Sequence, residues 1–186
     1  MVLTADKMGG TMYAISDLHL DHTNIIRYCN RPFSSTDQMN RVLVSNWNRT
    51  VRPTDTVIFV GDMAYGTGHR SADFWLEKLN GKIVFINGSH DRLRKHSSHP
   101  HAIIEYKGNR FYVVHDPNDI PNSWKGWTIH GHHHNNHMNE YPFINFRTKT
   151  VNVSCELINY TPIPVGAIVD EIARGNGRNI GTYGGR

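Results

Sequence analysis

Thirteen of the 186 residues are histidine, and eight of those fall between His99 and His137. Imidazole is the commonest metal ligand and a frequent general acid or base, so the informative places are the strand ends that deliver histidine, carboxylate or both. Five positions along the chain qualify: Asp17 with His19, then Asp62, then His90 with Asp91, then His115, then His132 with His134. Every donor in that set is oxygen or nitrogen, which suits manganese, iron or zinc better than Cu(I) or an iron–sulfur cluster. A carboxylate placed between two such ions can bridge them at about 3.5–4 Å. One residue separates Asp17 from His19. On an extended segment that spacing sends both side chains to the same side, which predicts that the two share one ion.

The elements that would bring these groups together are apolar strands, each ending in polar residues. Residues 11–16 are a β-prone run that stops at Asp17. Ser35 and Gln38 have capping-box spacing, and Met39, Val42, Leu43 and Trp47 recur on one helical face, predicting a helix over 37–50. Pro53 and Asp55 break it, and residues 56–60 form a buried strand that runs into Gly61-Asp62. Ser71 can cap a second helix carrying Ala72, Trp75, Leu76 and Leu79, closed by Asn80-Gly81. The strand 82–86 follows and delivers Ser89, His90 and Asp91. Strands separated by helices in this way read as β-α-β units. Residues 103–106 and 111–114 then read as a hairpin turning at Gly108, ended by His115-Asp116-Pro117. Trp127-Thr128-Ile129 leads into the row His130 to His134, and residues 150–154 form a late strand. Pro164 starts a last helix with an apolar stripe of Val165, Ile168, Val169 and Ile172. The expected organisation is one α/β domain over 1–175, with a mobile, glycine-rich tail over 176–186.

Composition narrows the function classes. With 38% apolar and 19% charged residues the chain is globular in type. The longest apolar runs, such as 56–60, are far shorter than the ~20 residues that span a bilayer, so no membrane partner is expected. The first ten residues have no basic start followed by an apolar stretch, and the two cysteines, Cys29 and Cys155, make no disulfide framework. Both features point to a cytoplasmic protein. A net charge of +4 gives a mild bias toward anionic partners. Zinc-finger spacing, a helix-turn-helix signal and a dense basic helix are all missing, which argues against a sequence-specific nucleic-acid binder.

Taken together, Asp17-Leu18-His19, Gly61-Asp62, Gly88-Ser89-His90-Asp91, His115 and Gly131-His132-His133-His134 resemble the calcineurin-like metallophosphoesterases. That family's blocks run D-x-H, G-D, G-N-H-[DE], a lone His and G-H-x-H, in this order. The stretch from Ser16 to Arg27, and Val151-Asn152-Val153, look like its small single-domain members. The resemblance implies two mixed β-sheets packed as a sandwich flanked by helices. It implies two divalent metal ions, with manganese preferred and iron, zinc or nickel as alternatives. Carried over by position, Asp17, His19 and His134 would hold one ion, His115 and His132 the other, and Asp62 both. Ser89 stands where the family has an asparagine ligand, so it would bind weakly or through a water. Tyr65 stands where many relatives carry an aspartate that orients the acid histidine, which leaves Asp91 as a candidate by proximity.

The implied chemistry is in-line attack on phosphorus by a hydroxide held between the ions, with His90 protonating the leaving group. The substrate class is a phosphate ester: a nucleotide, another small phosphoester or nucleic acid, with diesters favoured over monoesters. His22, near the first ligands, is a candidate phosphate contact. Arg92, beside Arg94 and Lys95, is a candidate for attracting an anionic substrate. His130 is read as packing, and His69, His96, His99, His101 and His137 as surface. A scaffold of the same fold that binds metal without turnover is the alternative.

Overall fold

The apolar runs do form strands. The structure, a computed structural model describing residues 1–4, 8–66, 68–175 and 177–184, contains the following elements. They are β1 (Val2–Thr4), β2 (Met12–Ile15), α1 (Thr23–Tyr28), α2 (Thr36–Thr50), β3 (Thr56–Phe59), α3 (Ala72–Leu76), β4 (Lys82–Ile86) and β5 (Ser98–His99). There follow β6 (Ala102–Tyr106), β7 (Asn109–Val113), β8 (Trp127–His130), β9 (Ile144–Asn145), β10 (Thr150–Asn152), β11 (Ile163–Pro164) and α4 (Val165–Arg174). One sheet has the order β11-β2-β3-β4-β5, and the other β1-β6-β7-β8-β10-β9. β2, β3, β4 and β5 are parallel, with Ile15 opposite Phe59 and Phe59 opposite Phe85. The other sheet mixes parallel pairs such as β7–β8 and β8–β10 with the antiparallel hairpin β6–β7. The fold is an α/β sandwich of two mixed sheets flanked by helices.

Local chemistry explains the element ends. The Ser35 hydroxyl accepts the Gln38 N–H at 3.2 Å, but the Gln38 side chain accepts from the Ser34 N–H and hydroxyl at 2.7 and 2.8 Å. The expected capping box is therefore half formed, with its return bond shifted by one residue. Ser71 caps α3 through the Phe74 N–H. The hairpin turns on Lys107 (φ 46°) and Gly108 (φ 77°), the two left-handed residues that a tight two-residue turn requires. On α4, Val165 and Ile168 are buried, while Val169 and Ile172 pack against the core part-exposed.

The core runs between the sheets and under α2. Phe59 lies 5.1 Å from Phe85 and 6.2 Å from Trp47, ring centre to ring centre. Trp47 is fully buried, and its indole N–H donates to the Asn80 carbonyl at 2.9 Å. Trp47→Ala is expected to cost about 3–5 kcal/mol of unfolding free energy in a urea titration, because it empties a large site and orphans that carbonyl. Trp47→Phe should cost clearly less.

In the segment expected to be a mobile tail, the backbones of Ile180 and Ile144 pair through two 2.9 Å hydrogen bonds, and Tyr183 packs on the core. Asn176, Gly185 and Arg186 lie outside the described residues. Among the described residues no helix is long and apolar enough to cross a membrane.

One feature of the topology positions the chemistry. Beyond β2 and β10 the two sheets join through a parallel bridge, Ser16 to Ser154, with the Ser16 N–H on the Val153 carbonyl at 3.0 Å. The carboxyl ends of strands from both sheets therefore meet at Asp17.

Candidate metal centre

Asp17 follows β2, Asp62 follows β3, His90 follows β4, His115 follows β7, and His132 and His134 follow β8. The backbone turns sharply at most of these points. Asp17, His19, Asp62, His132 and His134 have φ of 58°, 47°, 60°, 75° and 51°. A left-handed conformation costs a non-glycine residue roughly 1–2 kcal/mol, and such strain concentrates where side-chain placement outweighs it. This corrects the extended geometry expected for Asp17 and His19. The two side chains do converge, but because both residues are left-handed.

Close backbone approach completes the site. Gly61 has φ 86°, and a Cβ there would lie 2.6 Å from both Gly88 Cα and His115 Nδ1. A Cβ on Gly88 would overlap the Asp62 backbone and carboxylate.

The side chains form two overlapping groups within metal-sharing distance: Asp17, His19 and His134, and Asp17, Asp62 and His115. Asp62 Oδ2 lies between the rings, 3.5 Å from His19 Nε2 and 3.3 Å from His115 Nε2. Its Oδ1 accepts the His90 backbone N–H at 3.0 Å. Asp17 is fully buried. It accepts from the Ser16 and Ser154 hydroxyls at 2.5 and 2.9 Å and from the His132 N–H at 3.0 Å, with Oδ1 3.8 Å from His134 Nε2. His132 is more exposed, its Nδ1 3.3 Å from His115 Nε2 and its Nε2 3.7 Å from Asp116.

These donors fit divalent cations. Both ring nitrogens of His19 are buried with no hydrogen-bond partner. Burial pushes its imidazole down to about 3, against the pull of Asp17 and Asp62, so it presents a neutral ring to two carboxylates. His115 Nδ1 lies 2.8 Å from the Val60 carbonyl, which can only accept, so that nitrogen carries hydrogen and Nε2 faces Asp62. Burial opposes charge on His115, yet the hydrogen bond to Asp62 and the two aspartates raise it to about 9. Burial likewise opposes the charge on Asp62, but His115 and His19 hold its carboxyl far below the ordinary range. Two buried carboxylates, Asp17 and Asp62, thus face the imidazoles of His19, His115 and His134, an oxygen and nitrogen donor set of the kind divalent cations take.

Two residues that back this cluster escaped the sequence reading: Arg31 and Glu156, both with buried side chains. Glu156 Oε1 accepts from Arg31 Nε at 2.9 Å and from His134 Nδ1 at 3.0 Å. Burial resists its ionisation, while Arg31 and His134 bring the carboxyl down to about 2. A lone charged residue in the segment 151–158 is the one sequence signal that could have found it. Cys29, His134 and Glu156 also lie close enough to share an ion, but the Arg31 guanidinium already supplies the positive charge there.

The remaining candidates line the rim. His90 and Ser89 are exposed on the loop after β4, and Arg92 is exposed beside them. Asp91 does not serve as the orienting group. Its carboxylate is taken by the Asp62, Met63 and Gly88 N–H groups at 2.6, 2.9 and 3.0 Å, which clamps the loop after β3 to the loop after β4. Burial, with the Asp62 charge, pushes that carboxyl up to about 6 against those bonds. The His90 ring instead lies 4.2 Å from the Tyr65 ring, tilted by 37°. Tyr65 also meets His22 edge-on at 5.0 Å, and His22 lies 5.4 Å from His19. Asp21, His22, Thr23, Asn24, Tyr65 and Gly66 line an adjoining concavity of about 490 Å³. A concavity of about 750 Å³ on α2 and α3, lined by Arg70, Phe74 and Trp75, holds none of these groups. His130 is fully buried and meets Tyr141 edge-on at 5.9 Å.

No family model matches the chain. The uncharacterized protein MJ1445 of Methanocaldococcus jannaschii is 47% identical over 166 residues, covering 88% of this chain and 92% of that protein. The chain belongs to the MJ1445 family. Among solved structures, the protein of unknown function AQ665 from Aquifex aeolicus superposes with a TM-score of 0.64 at 24% identity, over 86% of this chain and 98% of that one. The MJ1445 family and AQ665 thus share the sandwich. YfcE, a phosphoesterase from E. coli, gives a TM-score of 0.42 at 14% identity over 78% of each chain.

Proposed function

We propose that this member of the MJ1445 family is a dinuclear, metal-dependent phosphoesterase. The observation that supports it most is the position of Asp62 Oδ2, 3.5 Å from His19 and 3.3 Å from His115, which sets one carboxylate oxygen between a ring from each of the two buried donor groups. Asp17, His19 and His134 would hold one ion, His115 and His132 the other, with Asp62 shared and Ser89 a weak or water-mediated contributor. When bound, divalent ions lower the pKa of a coordinated water and offset charge on phosphoryl oxygens.

The chain's own residues do the rest. The Ser16 and Ser154 hydroxyls and the His132 N–H fix the Asp17 carboxylate. The Asp91 clamp holds Asp62 against the loop that carries His90. His90, on the rim, gives a proton to the departing oxygen. His22 and Arg92 meet the phosphate and its charge. This role for His90 suits esters with poor leaving groups, and diesters are the favoured class over monoesters.

The test is to titrate metal-free protein with Mn²⁺ and follow bis(p-nitrophenyl) phosphate and p-nitrophenyl phosphate side by side. Turnover rising with metal, faster on the diester, is the expected result. Metal binding without turnover of either ester would sink the enzyme reading in favour of a scaffold, unless Ser89→Asn restores activity.

A further inference from the structure

The Asp17/His19/His134 group is held from behind by a single buried guanidinium. Arg31 is 4% exposed, and its guanidinium makes four hydrogen bonds and a close ion-pair contact. Nε donates to Glu156 at 2.9 Å, and Nη1 donates to the Leu18 carbonyl at 2.7 Å and to Met39 Sδ at 3.3 Å. Nη2 donates to the Asp17 carbonyl and lies at the same 2.7 Å from Glu156. The Asp17 and Leu18 carbonyls belong to the turn in which Asp17 and His19 are both left-handed. Arg31 thus fixes the strained backbone that aims the first two donors. Through Glu156 it reaches the third, because Oε1 lies 3.0 Å from His134 Nδ1. A carboxylate only accepts, so Nδ1 carries hydrogen and Nε2, on the Asp17 side, is the nitrogen with a lone pair to give.

The other donors lack an equivalent. His115 is tied to one backbone carbonyl. The side chain of His132 is 34% exposed, and its ring nitrogens face His115 and Asp116.

We infer that Arg31 and Glu156 are a positioning pair that makes the Asp17/His19/His134 group the tighter of two unequal cation sites and fixes Nε2 as the His134 donor. The inference rests on the metal reading above and adds an order of filling. A carboxylate behind a ligating histidine typically contributes 10–100-fold in metal affinity.

Equilibrium binding of Mn²⁺ to metal-free protein, followed by the EPR signal of the free ion, tests it without reference to turnover. Wild-type protein should bind two equivalents with separable affinities. Glu156→Gln should weaken the tighter one by roughly 10–100-fold and leave the weaker one within about twofold. Two unchanged affinities, or two that fall together, would overturn the inference while leaving the metal reading intact. Wild-type protein that binds no Mn²⁺ would remove the metal reading and this inference with it.

The substitution leaves the Arg31 charge without its counter-ion and can unfold the chain, so a second measurement uses the unaltered protein. In long-range ¹H–¹⁵N spectra of the Zn²⁺-loaded wild type, His134 should show hydrogen on Nδ1 and metal on Nε2. The opposite tautomer would overturn the assignment.

Discussion

Asp62→Asn is expected to lower metal-dependent kcat/KM by about a thousandfold, equivalent to roughly 4 kcal/mol of lost transition-state stabilisation. The substitution is nearly isosteric. The amide oxygen can still accept the His90 N–H that Oδ1 now takes at 3.0 Å, and the Asp91 clamp on the Asp62 backbone is untouched. What disappears is the negative charge between His19 and His115, and with it the atom 3.5 and 3.3 Å from their Nε2 nitrogens. A neutral amide there presents either an NH₂ toward two imidazoles or a weaker oxygen donor, so the groups on either side no longer share a charged ligand. Turnover of bis(p-nitrophenyl) phosphate measured with Mn²⁺ stoichiometry gives the check, with circular dichroism reporting the fold. A variant that keeps both metal equivalents and more than about a tenth of wild-type turnover would sink the role assigned to Asp62.

How much of this site was legible in the sequence follows from what each part depends on. Apolar runs broken by a carboxylate or imidazole announce strand ends. β3 and β4 feed Asp62 and His90 as the pattern requires, because burial demands those runs and nothing apolar can continue them. The turn at Asp17 was not legible. An Asp-x-His string looks the same extended or left-handed, and the bridge from Ser16 to Ser154 that forces the turn joins residues 138 positions apart. Arg31 and Glu156 are 125 positions apart, and neither lies in a periodic pattern. A buried ion pair announces itself only when both ends are found. Asp91 was misread for a different reason. Adjacency in sequence suggested contact with the His90 ring, whereas its carboxylate is spent on three backbone N–H groups, two of them on the facing loop after β3. Tyr65 appeared as a gap in a pattern of carboxylates, and the structure fills that gap with ring contact.

That contact bears on the second large expected effect. His90→Ala should lower kcat by about 10²–10⁴-fold on alkyl phosphodiesters, the usual span for a lost general acid. On p-nitrophenyl esters, whose phenolate departs without a proton, the loss should stay below about tenfold. The asymmetry separates a proton donor from a residue that merely shapes the loop, since a misplaced Asp62 would slow every ester alike. The geometry behind the prediction is specific. The His90 backbone is tied to Asp62 Oδ1, and its ring is exposed at the rim, 5.8 Å from the His19 ring and 4.2 Å from Tyr65. Because Tyr65 meets the ring with its own ring, Tyr65→Phe should leave the leaving-group dependence unchanged, while Tyr65→Ala should move it part of the way toward that of His90→Ala. A series of aryl and alkyl methyl phosphodiesters, plotted as log kcat against leaving-group pKa, reads both effects as slopes. Equal losses across the series for His90→Ala would sink its role as the acid, and a Tyr65→Ala slope equal to wild type would show that the ring stands in position without that support.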